Sequence, residues 1–104
     1  MAYVYITEFA QMGAAPDTQD VGGVPQVALL PAITTQKVAI GGSSASSSGF
    51  NYLTRFVRVH TDAICHVVCG ASPTATTSNA RMAADQTEYF AVRPGQKIAV
   101  ITGS

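Results

Sequence analysis

The chain contains 104 residues, of which 47% are hydrophobic and 12% are charged, and its six basic and six acidic side chains give a formal net charge of zero. This length favours one domain with one core, and the balanced charge argues against a basic surface for nucleic acid or anionic membranes. No apolar stretch reaches the ~20 residues that span a bilayer, and residues 1–8 lack the features of a secretory leader. We therefore expect one soluble domain over residues 1–104, with neither nucleic acid nor a membrane as partner.

The low charge also bears on the kind of surface that this domain presents. Soluble domains typically contain about 25% charged residues. Here Ser, Thr, Asn and Gln must supply most of the polar surface. Such a surface is typical of a protein that lies against other protein, and the alternative is a soluble monomer that is hydrated by its hydroxyl groups.

The first predicted strand ends at Phe9 and alternates with a period of two, which is the strand signature. It places Tyr3 and Tyr5 beside Phe9 on one face, with Val4 and Ile6 on the other. Because both faces are apolar, we expect this strand to be covered on both sides or to join an interface.

Two long loops are predicted in the first half of the chain. Residues 11–26 are interrupted by Gly and Pro, and residues 41–49 are almost entirely Gly and Ser. Such compositions are typical of loops and flexible linkers. Between them, residues 27–30 and 33–40 have the pattern of strands. We expect both loops to lie where partner chains bind.

The second half of the chain contains further strand patterns separated by turn residues. They cover residues 50–60, 63–69, 87–92 and 97–102. Pro94 and Gly95 fit the central positions of a type II turn, because Pro presets φ and Gly tolerates a positive φ. Residues 76–85 permit either one helical turn or a short strand followed by a turn.

The fold class follows from the number and spacing of these elements. About 7–8 short strands with turn signals every 8–12 residues are typical of a sandwich or barrel. Parallel pairing requires crossover helices, which no segment supplies. The sequence therefore predicts an all-β, single-domain antiparallel β-sandwich, either jelly-roll-like or immunoglobulin-like.

Four residues of metal-ligand type fall close together in the sequence: His60, Cys65, His66 and Cys69. In a strand, however, residues four apart are separated by about 13 Å, which is too far for both cysteines to bind one metal ion or to form a disulfide. Cys65 and Cys69 are therefore predicted to be small buried hydrophobic residues. We expect no metal site and no cofactor.

Catalytic patterns are equally weak. No serine lies in a nucleophile elbow. His60 and His66 have Asp62 and Asp85 as conceivable orienting acids, but such residue types occur in almost any chain. Asp85 and Glu88 are more simply interpreted as solvated turn residues than as a carboxylate pair. The prediction is that the protein is not an enzyme.

Several stretches have the residue pattern of a known group of proteins. They are Thr54–Cys65, Gly70–Ala75, Asp85–Val92 and Pro94–Ile101, together with the opening Ala2–Glu8. In these stretches the chain resembles small proteins encoded among the virion structural genes of tailed bacteriophages. The likeness covers about half of the chain well and is poor over residues 13–48.

The resemblance implies a virion component made in the cytoplasm of the bacterial host. The role it favours is that of a capsid decoration, or cement, protein, which binds the outer shell as a homo-oligomer (a dimer or trimer) and stabilises it. The implied partners are the major capsid protein or other virion proteins. A head-fibre base or tail component, a carbohydrate-binding β-sandwich module and a small hydrolase are the alternatives.

Aromatic and apolar residues of the first strand and of the long loops are the candidate contact residues, since interfaces are enriched in aromatic side chains and depleted of charge. These candidates are Tyr3, Tyr5, Phe9, Val21, Val24, Phe50 and Tyr52.

Overall fold

A computed structural model of the protein describes residues 2–10, 12–14, 26–28 and 31–103. Every regular element in these residues is a β-strand. The strands are β1 (Tyr3–Phe9), β2 (Met12–Ala14), β3 (Gln26–Ala28), β4 (Thr34–Ala39), β5 (Ala45–Ser46), β6 (Phe56–Thr61), β7 (Cys65–Gly70), β8 (Ala80–Met82), β9 (Thr87–Ala91) and β10 (Lys97–Thr102). Residues 76–85 thus contain a short strand, which was one of the two expectations, and no helix of the described residues is long and apolar enough to cross a membrane.

The strands form two four-stranded antiparallel sheets and one separate pair. Sheet 1 has the order β4-β1-β6-β9, sheet 2 has the order β5-β10-β7-β8, and β2 pairs with β3. All pairings between these strands are antiparallel. The predicted all-β antiparallel sandwich is confirmed. The extent of the domain, residues 1–104, stays a prediction.

The core lies between the inner faces of the two sheets. Burial alternates along β1 and β6, as expected for strands with one face on a core. The core residues are Val4, Ile6, Val38, Val57 and Val59 from sheet 1 and Cys65, Val67, Met82, Ile98 and Val100 from sheet 2, together with Phe50 and Val92. Branched aliphatic side chains dominate this set, which agrees with their preference for half-buried pleated surfaces.

The chain crosses from sheet 1 to sheet 2 immediately after Thr61. This side chain is fully buried, and its hydroxyl donates to the carbonyl of Ala63 at 2.6 Å while it accepts from the Cys65 thiol at 3.5 Å. The hydroxyl therefore gives a hydrogen-bond partner to the backbone at Ala63, between the two sheets. Without a partner, such a polar group would be costly to bury.

Glu8 is the charged residue on the inner face of β1, and only 1% of its surface is exposed. Its Oε1 accepts from the Thr54 hydroxyl at 2.7 Å and from the Asn51 backbone N–H at 2.9 Å, and its Oε2 accepts from Gln36 Nε2 at 2.8 Å. A buried carboxylate is tolerated when donors surround it in this way. Glu8 thereby attaches residues 51–54, the segment before β6, to sheet 1.

The predicted loop over residues 41–49 is corrected. Ala45–Ser46 forms β5, which pairs with residues 99–100 of β10. Next to it, the Ser47 N–H donates to the Ile98 carbonyl at 2.8 Å, and the Ser47 hydroxyl accepts from the Ile98 N–H at 3.0 Å. The chain's own sheet therefore holds this segment. Because the pairing is non-local and Ser and Gly have low strand propensity, composition alone pointed to a linker.

The predicted loop over residues 11–26 is also corrected at its ends. Met12–Ala14 forms β2, and β3 begins at Gln26 rather than at residue 27. Residues 15–25 lie outside the described part of the chain. By contrast, the predicted turn at 93–96 is confirmed, since Gly95 has a φ of 82° and the Gln96 N–H donates to the Arg93 carbonyl at 3.2 Å.

Candidate functional site: the outer face of sheet 1

The register of sheet 1 brings aromatic and cationic side chains together on the face that points away from the core. Tyr5 of β1 lies opposite Lys37 of β4 on one side and opposite His60 of β6 on the other. Arg58 of β6 lies opposite Tyr89 of β9. We call this surface the outer face of sheet 1; its members are Tyr3, Tyr5, Thr7, Phe9, Lys37, Phe56, Arg58, His60 and Tyr89.

At one end of this face a lysine lies over two tyrosines. The Lys37 Nζ is 4.2 Å from the centroid of the Tyr3 ring and 5.8 Å from that of Tyr5. The two rings are 6.4 Å apart and tilted by 55°. A lysine at these distances is attracted to the ring faces, while Tyr3 and Tyr5 remain half-buried.

At the other end, three aromatic rings form a row across β1, β6 and β9. Phe9 stacks on Phe56 with centroids 5.0 Å apart, and Phe56 lies 6.5 Å from Tyr89. Tyr89 is 58% exposed. Large rigid side chains that remain exposed are the usual anchors of protein interfaces, because they bury much area for little loss of entropy.

The structure separates the predicted contact residues into three groups. Tyr3 and Tyr5 are half-buried on the outer face of sheet 1, and Tyr52 is 75% exposed in the turn before β6. Phe9 and Phe50 are only 4% exposed, so their interpretation as contact residues is corrected: Phe50 belongs to the core, and Phe9 is buried beside Phe56. Val21 and Val24 lie outside the described residues.

A polar cluster lies at the corner of the outer face, next to Tyr3. His60, Asp62 and Asp85 each offer a ligand atom, and these three atoms lie within 4.8 Å of one another. The ring of His60 is fixed by a 2.8 Å hydrogen bond between its Nδ1 and the Thr87 hydroxyl. The sequence named all three residues only as a conceivable catalytic set, and the sequence-based search for metal ligands included only His60 among them.

His60, Asp62 and Asp85 are brought together by the register between β6 and β9. His60 lies opposite Thr87, and continuing the same antiparallel register beyond the strands puts Asp62 beside Asp85. The Asp85 N–H donates to the Thr61 carbonyl at 2.8 Å, which continues this alignment. A pairing between segments so distant in sequence is not encoded in local spacing, and therefore spacing alone missed the cluster.

The two cysteines differ from each other. Cys65 is fully buried, as predicted, and burial raises the pKa of its thiol, against a smaller lowering by the Thr61 hydrogen bond. Cys69 is exposed, so its predicted burial was wrong. The two sheets leave a crevice of about 160 Å³ beside it, bordered by Val67 and Phe90. Partial burial also raises the pKa of the Cys69 thiol.

Neither histidine has the surroundings of a catalytic Ser-His pair in the described residues. The Nδ1 of His66 is 2.9 Å from the Asn79 carbonyl, which can only accept, so this nitrogen carries the proton. His60 bonds the Thr87 hydroxyl instead. The described hydrogen bonds of both rings involve no serine.

A polar cavity of about 310 Å³ lies at the end of the sandwich where Glu8 is buried, and Gln36, Ser48 and Asn51 also line it. Its polar groups largely satisfy each other. Gln36 Nε2 donates to Glu8 at 2.8 Å and to the Ser48 carbonyl at 3.2 Å, while its Oε1 accepts from the Ser48 N–H at 2.7 Å. These bonds hold Ser48 against Gln36 of β4, so the polar groups of Glu8, Gln36 and Ser48 already have partners within the chain.

Comparisons with protein-family models, with curated proteins and with solved structures found no match to this chain. The site is therefore interpreted from its own geometry.

Proposed function

We propose that the protein is a structural protein that binds another protein through the outer face of sheet 1, and that its partner is the capsid shell of a tailed phage. In this role a homo-oligomer, a dimer or trimer, attaches to the outside of the shell and stabilises it. The observation that carries the proposal is the concentration of tyrosines on one face: Tyr3, Tyr5 and Tyr89 lie on it, out of four tyrosines in the chain.

The arrangement of these residues supports a contact surface in preference to a reaction centre. The aromatic rings are spread across three strands of one face. Aromatic residues and arginine are enriched in protein interfaces, which agrees with the rings and with Arg58 on this face. Lys37 is held over Tyr3, and Arg58 lies opposite Tyr89, so both cations are placed among the rings.

The proposed partner comes from the sequence-based expectation alone, the resemblance of residues 54–65, 70–75, 85–92 and 94–101 to small virion proteins. A decoration protein requires complementary surface and several copies rather than chemistry. Several weak contacts made at once by one oligomer give strong attachment, because the later contacts form at high effective concentration. The charge-poor composition, with 12% charged residues, agrees with such a permanently covered protein.

The direct test compares phage particles with and without this protein. We expect particles that lack it to lose resistance to heat and osmotic shock, and we expect the purified protein to restore it when added back. The Tyr5→Ala protein should restore less, whereas Ile101→Ala, a matched half-buried position on the central strand β10 of sheet 2, should restore as much as the wild type. Particle stability that does not depend on the protein would refute the proposal.

The carbohydrate-binding alternative requires a concave site lined by exposed tyrosine or phenylalanine, whereas the residues that line the cavity beside Glu8 are polar or glycine. This alternative predicts binding in a glycan screen, and a screen without hits would remove it. Binding that instead depends on Tyr5 and requires a protein surface would favour the structural role.

A further inference from the structure

We propose that His60, Asp62 and Asp85 form a binding site for one divalent metal ion of the Zn²⁺ or Co²⁺ type. One donor atom from each residue lies within 4.8 Å of the other two. Ligands that are each about 2.0–2.2 Å from one ion are at most ~4.4 Å apart, so rotations of the exposed Asp62 and Asp85 side chains would bring the three atoms within that limit. The proposal does not depend on which partner the protein binds.

The three ligands come from separate segments that the backbone holds together. His60 is in β6, Asp62 is in the turn that leads to β7, and Asp85 is in the turn before β9. The Asp62 N–H donates to the Tyr3 carbonyl at 3.0 Å, and the Asp85 N–H donates to the Thr61 carbonyl at 2.8 Å. The backbones of both aspartates are thus positioned by the sheet, which lowers the entropy cost of bringing their side chains to one ion.

The histidine is oriented as a metal ligand usually is. Ligand histidines typically use their second ring nitrogen for a hydrogen bond that fixes the ring. In His60 this bond joins Nδ1 to the hydroxyl of Thr87, its cross-strand neighbour, at 2.8 Å. Nε2 is then the nitrogen available for the ion.

The donor set selects the class of ion. Ca²⁺ and Mg²⁺ favour sites built from oxygen alone, whereas a neutral imidazole nitrogen favours Zn²⁺ and similar ions. Two carboxylates compensate the charge of the ion. Three protein ligands leave at least one position for water or for a donor from a neighbouring chain. The cluster itself borders the outer face of sheet 1, because His60 lies on that face and Asp62 Oδ2 also accepts from the Tyr3 N–H at 3.3 Å.

The test measures binding of ZnCl₂ to untagged, metal-free protein by calorimetry and by thermal unfolding. All measurements use protein that carries Cys69→Ser, because the exposed Cys69 thiol can also bind zinc. We expect one Zn²⁺ per chain and a melting temperature that rises with Zn²⁺ concentration, since a ligand of the folded state stabilises it by mass action.

The variants are chosen to keep the fold. Asp62→Asn and Asp85→Asn preserve size, and Asn tolerates the positive φ of 62° at position 85. Each should weaken Zn²⁺ binding at least ~10-fold, the lower range seen when supporting residues of a metal site are lost. Glu88→Gln removes the same charge from a residue outside the cluster, and we expect it to keep wild-type affinity.

A second readout locates the ion without any substitution. Paramagnetic Co²⁺ should shift and broaden the amide NMR signals of Asp62, Asp85 and their neighbours before those of sheet 2. The proposal is overturned if Zn²⁺ does not bind, if both Asn variants bind it as tightly as Glu88→Gln does, or if Co²⁺ perturbs signals elsewhere first. Melting temperatures without metal show whether each variant is folded.

Discussion

Both sheets must cover the same core with their inner faces, but their outer faces differ in the side chains that they carry. Both sheets fill their inner faces with aliphatic residues. The outer face of sheet 1 carries Tyr3, Tyr5 and Tyr89 with two cations among them, whereas the strands of sheet 2 contain no phenylalanine or tyrosine. The fold requires apolar residues only on the inner faces. The aromatic content of one outer face is therefore not required by the core, and partner binding is the role that we propose for it.

The largest expected effect is a difference in the free energy of unfolding between substitutions on the two faces of β1. Ile6 is fully buried, so Ile6→Ala should lower the free energy of unfolding by about 2–5 kcal/mol. Tyr5→Ala, one position away on the outer face, should cost at most ~1 kcal/mol, because it loses only cross-strand contacts. Urea unfolding of both variants measures the difference. Equal costs would mean that the outer aromatic residues serve the fold.

A smaller effect is expected at Glu8, the polar member of the inner face. Three groups donate hydrogen bonds to the Glu8 carboxylate: the Thr54 hydroxyl, the Asn51 N–H and the Gln36 amide. Glu8→Gln replaces one of the accepting oxygens by an NH₂ group, which also donates. Leaving buried donors unsatisfied should cost about 1–3 kcal/mol. Urea unfolding tests this, and hydrogen exchange should show the segment before β6 opening first. Unchanged exchange there would show that Glu8 does not anchor it.

The smallest effect concerns the two cysteines of sheet 2. In the native protein at pH 8, a thiol-alkylating reagent should modify Cys69 and leave Cys65 unmodified, because Cys65 is fully buried. Both pKa values are raised, so less thiolate is present at pH 8 and Cys69 should react more slowly than a free cysteine. Mass spectrometry of the digested protein measures both rates. Modification of Cys65 at the rate of Cys69 would contradict its burial.

Period-two alternation and the spacing of the turn residues were sufficient to predict the fold class. The alternation placed Val4 and Ile6 on the face of β1 opposite to the tyrosines, and the Pro94-Gly95 pair predicted the turn at residues 93–96. These features are local: strand alternation and turn chemistry act within a few residues of the chain.

The errors all concern interactions between distant segments. β5 exists because a Gly/Ser stretch pairs with β10, and Cys69 is exposed because the opposite sheet leaves a crevice beside it. Phe9 is buried on an outer face. The cluster of His60 with Asp85 likewise depends on the register between β6 and β9. Register is set by the whole sheet, so single-strand patterns do not reveal it.

The central claim is that the outer face of sheet 1 binds another protein, for which we propose a phage capsid. The most direct test is hydroxyl-radical footprinting of the protein, once free in solution and once bound to the phage particle. The account predicts that oxidation of Tyr5 and of Tyr89, which is 58% exposed in the isolated chain, falls strongly on the particle, while that of Ile101 on sheet 2 does not change. Equal oxidation of both tyrosines in the two states, or protection of Ile101 instead, would contradict it.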